Sequence, residues 1–120
     1  MEEKHIVQES GCSTFIIHAR KALLKGLSPK DNREIPPLNY DRVYNLKENF
    51  PDLEIIINGG IKSTQDVLTH LNKVDGVMVG RSAYEDPYSL ASVDQNIFNK
   101  KTLILSRTQI LESLIPYLEK

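Results

Sequence analysis

Short, unbroken apolar runs alternate along the chain with longer stretches in which apolar side chains recur at helical spacing. Thr14-Phe15-Ile16-Ile17 is β-branched or aromatic throughout, the pattern of a strand buried on both faces of a parallel sheet, and it stops at His18. Glu54-Ile55-Ile56-Ile57 repeats the pattern and ends in Asn58-Gly59-Gly60. Gly76-Val77-Met78-Val79 repeats it again before Gly80-Arg81. Between the first two runs, Tyr40, Val43, Tyr44, Leu46 and Phe50 fall at helical spacing, with Asn39 as cap and Pro51 as stop. Between the second and third, Ser63 caps a helix whose inner face is Val67, Leu68 and Leu71. Lys4 to Ser10 reads as the last turns of a helix closed by Gly11, and Ser82 to Leu90 as a short helix. Ser106 and Gln109 form a capping box for a final helix bearing Ile110, Leu111, Leu114 and Leu118, which Pro116 would kink or shorten.

The order strand, helix, strand, helix, strand predicts an α/β fold with a parallel sheet and right-handed crossovers. Three such strands cannot cover both faces and both edges with two or three helices, so further structure is expected to complete the sheet. A full eight-stranded barrel takes about 250 residues. The 120 residues here match half of one plus a tail. A long polar segment over residues 19–39, interrupted by Gly26, Pro29, Pro36 and Pro37, leaves room for one or two helical turns between Arg20 and Lys25. Connections of that length are usually functional or mobile.

Composition narrows the class only slightly. Lys and Arg number 15 against 16 Asp and Glu, so any contact with RNA must come from a local cluster. The single cysteine, Cys12, excludes an internal disulfide and a cysteine-based zinc site and fits a reducing, cytoplasmic setting. The acidic, polar start does not read as a signal peptide, and no apolar run approaches the roughly 20 residues that cross a bilayer. His5 and His70 lie in helical segments as surface or packing residues, with no metal-ligand spacing between them.

In a parallel sheet the carboxyl ends of the strands share one edge, where ligands bind. His18, Asn58-Gly59-Gly60 and Gly80-Arg81 are therefore expected on one rim. Alone, a histidine at a strand end is more often structural and a Gly-Gly pair is usually a turn. Together, glycines that admit a close anion, helix N-termini behind them and an arginine fork describe a phosphate site. Barrel enzymes commonly hold phosphate between the loops after the last two strands, which numbers these strands six, seven and eight. His18 would then sit deeper over the barrel mouth.

His18-Ala19-Arg20-Lys21-Ala22, Gly26-Leu27-Ser28-Pro29-Lys30 and Asn32-Arg33-Glu34-Ile35-Pro36-Pro37-Leu38 closely resemble the tRNA-dihydrouridine synthases of the bacterial A subfamily, the D-loop 20/20a type. Ile57-Asn58-Gly59-Gly60-Ile61 and Asp75-Gly76-Val77-Met78-Val79-Gly80-Arg81 continue the match at constant spacing from about Gly11 to about Leu90. The resemblance implies the carboxyl-terminal part of a (β/α)8 TIM barrel, strands six to eight, over residues 1–98, followed by the first helix of a helical tRNA-binding domain over 99–120. It implies reduced FMN, recharged by NAD(P)H, and reduction of a uridine in the tRNA D-loop. FMN-binding positions carry over onto His18, Asn58, Gly59, Gly60, Gly80 and Arg81, and tRNA contacts onto Lys30 and Arg33. The local charge agrees: Arg20, Lys21, Lys25, Lys30 and Arg33 face the single acid Asp31. The family's catalytic cysteine belongs to an earlier part of the barrel. Cys12, at the opposite end of its strand, does not replace it and reads as a small buried residue. The isolated chain is then expected to be inactive and to need an amino-terminal half, encoded separately or upstream. The alternatives are a non-catalytic half barrel that binds phosphate or RNA, and an inactive gene remnant.

Overall fold

In the computed structural model, which describes residues 9–120, three strands form one parallel sheet in sequential order. They are β1 (Thr14–His18), β2 (Glu54–Asn58) and β3 (Gly76–Met78). The register sets Ile17 beside Ile57 and Ile57 beside Val77, with His18, Asn58 and Met78 aligned at the carboxyl ends. Most of the helix read over Lys4 to Ser10 lies outside the described residues. Gly11 does take the left-handed conformation, at φ +87°.

Side chains alternate across the sheet, and among the described residues only one face is covered. Ile55 and Ile57 are fully buried and join Ala19, Val43 and Val74 in the core, with Phe15, Ile17 and Val77 packed against it. The helix α2 (Tyr40–Asn49) supplies Val43, Tyr40, Tyr44 and Leu46 to this core; a shorter helix, α1 (Pro29–Asn32), precedes it. On the other face Ile16 is 60% exposed and Met78 is exposed too. The expectation of strands buried on both faces therefore fails in this chain, because the core gathers on the Ile55 and Ile57 side alone.

Local signals set the element ends as their chemistry demands. Asn39 caps α2 by accepting from the Arg42 N–H, and Lys47 near its end donates to the carbonyls of Pro51 and Leu53 and to Asp75, each at 2.8 Å. All three ammonium protons are thereby used, and the turn into β2 is fastened. The Asp75 carboxylate also accepts from the Ile55 N–H, and that bond, with Lys47, holds its pKa below the usual value. Helix α3 (Thr64–Leu71) opens on a reciprocal box between Ser63 and Asp66; it buries Val67 and His70 and half-buries Leu68 and Leu71.

Several further expectations need correction. No helix forms between Arg20 and Lys25; the helical turn is α1, where Pro29 presets φ and Ser28 and Asp31 cap each other. The short helix after β3 is broken at Pro87 into α4 (Arg81–Glu85), a 3-10 turn (Pro87–Ser92) and α5 (Val93–Asn96). Helix α6 (Arg107–Leu118) is not shortened at Pro116, because a proline in the last turn forfeits only one internal bond; its apolar residues Leu111, Leu114 and Leu118 are exposed. Cys12 is exposed as well, not buried, since it precedes β1 where no described residue covers it. No helix among the described residues is long and apolar enough to cross a membrane.

Candidate functional site

The rim at the carboxyl ends of the strands is built from the segments that sequence singled out. His18 closes β1 directly opposite Asn58, which closes β2, and both belong to the uncovered set of alternating positions. The connection out of β1 is tied back to β2: the Ala19 N–H donates to the Asn58 carbonyl at 2.8 Å, and Asn39 returns to the Ala19 carbonyl at 2.7 Å. The long loop thus leaves and re-enters at the same point on the rim.

Gly59 and Gly60 have φ of +117° and +68°, which the side chains of other residues resist. Space is tight around both as well. A Cβ on Gly59 would lie 3.2 Å from His18 Cε1 and 3.0 Å from Leu38 Cδ2, and one on Gly60 would lie 2.5 Å from Leu38 Cδ1. At Gly80 a Cβ would meet nothing within 4 Å, so that glycine opens space instead of filling it. The loops after β2 and β3 are joined, since the Ser82 hydroxyl donates to the Lys62 carbonyl at 3.0 Å.

Both ring nitrogens of His18 are enclosed, and neither has a hydrogen-bond partner among the described residues. Burial, followed by the charges of Arg20 and Arg33, lowers the His18 pKa below 6.5, so the ring is neutral near pH 7. A neutral imidazole offers one donor and one acceptor, the complement of a polar ring or carbonyl. Arg81 is exposed and pairs with Glu34 of the long loop. Its guanidinium has five N–H donors, which leaves donors for an anion.

Helix N-termini contribute less to this rim than expected. The Asp66 carboxylate already accepts from the Lys62 and Ser63 N–H groups at the start of α3, and α4 is only five residues long. Backbone groups of the glycine turn and Arg81 remain as donors for an anion. Asp66 is the partner of Ser63 in the cap of α3.

The basic loop is ordered by its own polar groups. The Asn32 side chain grips both the N–H and the carbonyl of Leu23. Lys30 lies in α1 and Arg33 at its carboxyl cap, three positions apart and both exposed, so they share one side of the turn. Arg20 is withdrawn from the free basic cluster, because its guanidinium donates to the Pro36 carbonyl. Among the described residues no group of three or more His, Cys, Asp or Glu is arranged to hold a metal ion.

Sequence reasoning missed Leu38, Tyr40 and Ser82 as parts of the rim. Tyr40 fits the apolar face of α2 and packs there, yet its hydroxyl donates to the Gly59 carbonyl at 2.8 Å. No periodicity separates these two roles. Beneath it, His70 Nδ1 lies 2.6 Å from the Tyr44 hydroxyl, and burial lowers the His70 pKa from 6.5 against an opposing pull from Asp66.

A pH dependence follows. Both His18 and His70 have folded pKa values depressed below 6.5, so the unfolded chain binds protons that the folded chain refuses. Their contribution is complete above 6.5 and is lost as pH falls through the lowered folded values. The melting temperature should fall between about pH 8 and about pH 5, well above the carboxylate range. His70→Gln should flatten that slope; an unchanged slope would remove His70 from the account.

The whole chain, residues 1–120, matches the family model described as dihydrouridine synthase. It is 58% identical over 113 residues to a tRNA-dihydrouridine(20/20a) synthase of Shewanella oneidensis, covering 94% of this chain and 34% of the relative. Proteins of the same name from Vibrio cholerae and Synechocystis sp. are 52% and 56% identical, each over 96% of this chain and 35% and 34% of their own length. The chain spans about a third of the length of the curated relatives it matches. With an α/β architecture and a rim of this composition, the chain belongs to the dihydrouridine synthase family.

Proposed function

We propose that this chain is the carboxyl-terminal barrel segment of an FMN-dependent tRNA-dihydrouridine synthase, with the phosphate end of the cofactor site and part of the tRNA surface. Residues 1–98 are strands six to eight with their connections, and 99–120 begin a helical tRNA-binding domain. The uncovered face carrying Ile16 and Met78 would be the barrel interior, closed by strands from an amino-terminal segment. That segment, encoded upstream or separately, would bring the catalytic cysteine. The setting is cytoplasmic, with NAD(P)H as reductant.

The observation that carries this reading is the pair of enclosed, unpartnered His18 nitrogens beside a two-glycine turn. These groups fit a flavin mononucleotide. His18 and Asn58 would meet polar atoms of the ring, while the backbone of Gly59 and Gly60, the open space at Gly80 and the Arg81 fork would hold the phosphate. Bound and reduced, FMN would supply the hydride that reduces the 5,6 double bond of a D-loop uridine. The protein's part on this rim is to bind and orient. Lys30 and Arg33 would rest on tRNA phosphates, positioning the D-loop above the barrel mouth.

The test compares FMN with riboflavin, which lacks the phosphate. Arg81→Ala should weaken FMN binding by about tenfold or more, as expected for losing charge-assisted bonds of about 1.5–3 kcal/mol, and leave riboflavin unchanged. Equal losses for both ligands would put the phosphate elsewhere. In the barrel completed with its amino-terminal segment, Lys30→Ala with Arg33→Ala should weaken tRNA binding and reduce the salt dependence by about two counterions. An unaltered salt dependence would remove this loop from the tRNA surface.

A further inference from the structure

The peptide unit between Gly59 and Gly60 is fixed in one orientation by a residue outside the glycine turn. Two consecutive glycines with positive φ form a unit whose rotation no side chain of its own hinders. Its carbonyl is nevertheless anchored, because the Tyr40 phenol donates to the Gly59 oxygen at 2.8 Å. The peptides are trans, and in a trans peptide the C=O and N–H point in opposite directions. Anchoring the oxygen on Tyr40 therefore aims the Gly60 N–H away from Tyr40. That N–H has no hydrogen-bond partner among the described residues.

Tyr40 is itself well held. It is the first residue of α2, directly after the Asn39 cap, and its ring meets the His70 imidazole edge to face at 4.5 Å between centroids. Leu38, two residues earlier, packs against both glycines. Burial, and secondarily Asp66, raises the Tyr40 pKa above 10.0, so the phenol keeps its proton and remains a donor.

We propose that Tyr40 is a positioning residue for anion recognition: by holding the Gly59 carbonyl, it presents the Gly60 N–H to the phosphate monoester of the cofactor. The inference rests on the reading of the rim given above. Tyr40 acts through Gly59 and does not touch the ligand. Without the phenol, the peptide can turn and set a carbonyl oxygen toward a dianion, replacing attraction with repulsion.

The experiment uses the nitrogen-15-labelled chain titrated with inorganic phosphate, FMN and riboflavin, alongside Tyr40→Phe and, as control, Tyr44→Phe. The control removes a phenol from the same helix that pairs with His70 and has no bond to Gly59. In the unsubstituted chain, phosphate and FMN should move the Gly60 amide proton downfield saturably, and riboflavin should not. In Tyr40→Phe the preference for FMN over riboflavin should fall about tenfold, the scale of one hydrogen bond to a charged group, and the Gly60 shift should vanish. Tyr44→Phe should keep both. If Tyr40→Phe retains the full preference for FMN, the proposal is overturned and the site assignment stands. A Gly60 amide that stays still in the unsubstituted chain while its rim neighbours respond also overturns it, whether or not the variant folds. If no rim amide responds, the reading of the site fails and the inference falls with it.

Discussion

Gly59→Ala should destabilise the chain by about 2–4 kcal/mol and remove measurable FMN binding. Two separate costs add. At φ +117° an alanine sits in a region that L-residues rarely occupy, which costs about 1–3 kcal/mol where the surroundings hold the backbone. The new methyl would also meet Leu38 Cδ2 at 3.0 Å, His18 Cε1 at 3.2 Å and His18 Nδ1 at 3.4 Å. The turn can keep its backbone and push the imidazole aside, or rotate and take the Gly59 carbonyl off Tyr40. Either outcome alters the groups proposed to meet the cofactor. Urea denaturation with a parallel FMN titration measures both parts. Gly80→Ala is the contrast, since a Cβ there meets nothing and its stability effect should stay within about 0.5 kcal/mol. Equal stability of Gly59→Ala and the unsubstituted chain would mean that the turn does not need its positive φ.

The parts of the fold legible in sequence are those decided by neighbouring residues. Ile55-Ile56-Ile57 can hardly be anything but a strand between Leu53 and Gly59, and Ser63 with Asp66, or Ser106 with Gln109, bond within three residues of each other. Parallel topology then sends every strand's carboxyl end to one edge, which is why His18, Asn58 and Gly80 could be assigned to one rim. What stayed hidden depends on contacts far apart in the chain. Arg20 looks like one of five equivalent cations until its bond to Pro36, sixteen positions away, takes it out of the cluster. Tyr40 looks like a core residue until Gly59, nineteen positions on, accepts from it. The same holds for protonation. The neutral state of His18 follows from burial and from two arginines whose approach only the folded loop reveals.

Ile57→Ala should cost about 2–5 kcal/mol, the range for truncating a fully buried isoleucine, and leave much of the population unfolded at 25 °C. Ile57 is 0% exposed on the central strand β2, flanked in register by Ile17 and Val77, so no neighbour can relax into the space without breaking sheet contacts. Stabilities of whole domains are only about 5–15 kcal/mol, and a sheet packed on one face has less to lose from. Ile16→Ala makes the comparison informative. In this chain Ile16 is 60% exposed on the opposite face, and its truncation should cost under about 1 kcal/mol. If that face is a barrel interior, as proposed, the same substitution should cost about 2 kcal/mol or more once the chain is assembled with an amino-terminal segment from a full-length relative. Denaturation of the two variants, alone and assembled, separates the cases. A cost at Ile16 that rises only on assembly places strands against the uncovered face, and a cost that stays small in both states means that the face points to solvent in the complete protein.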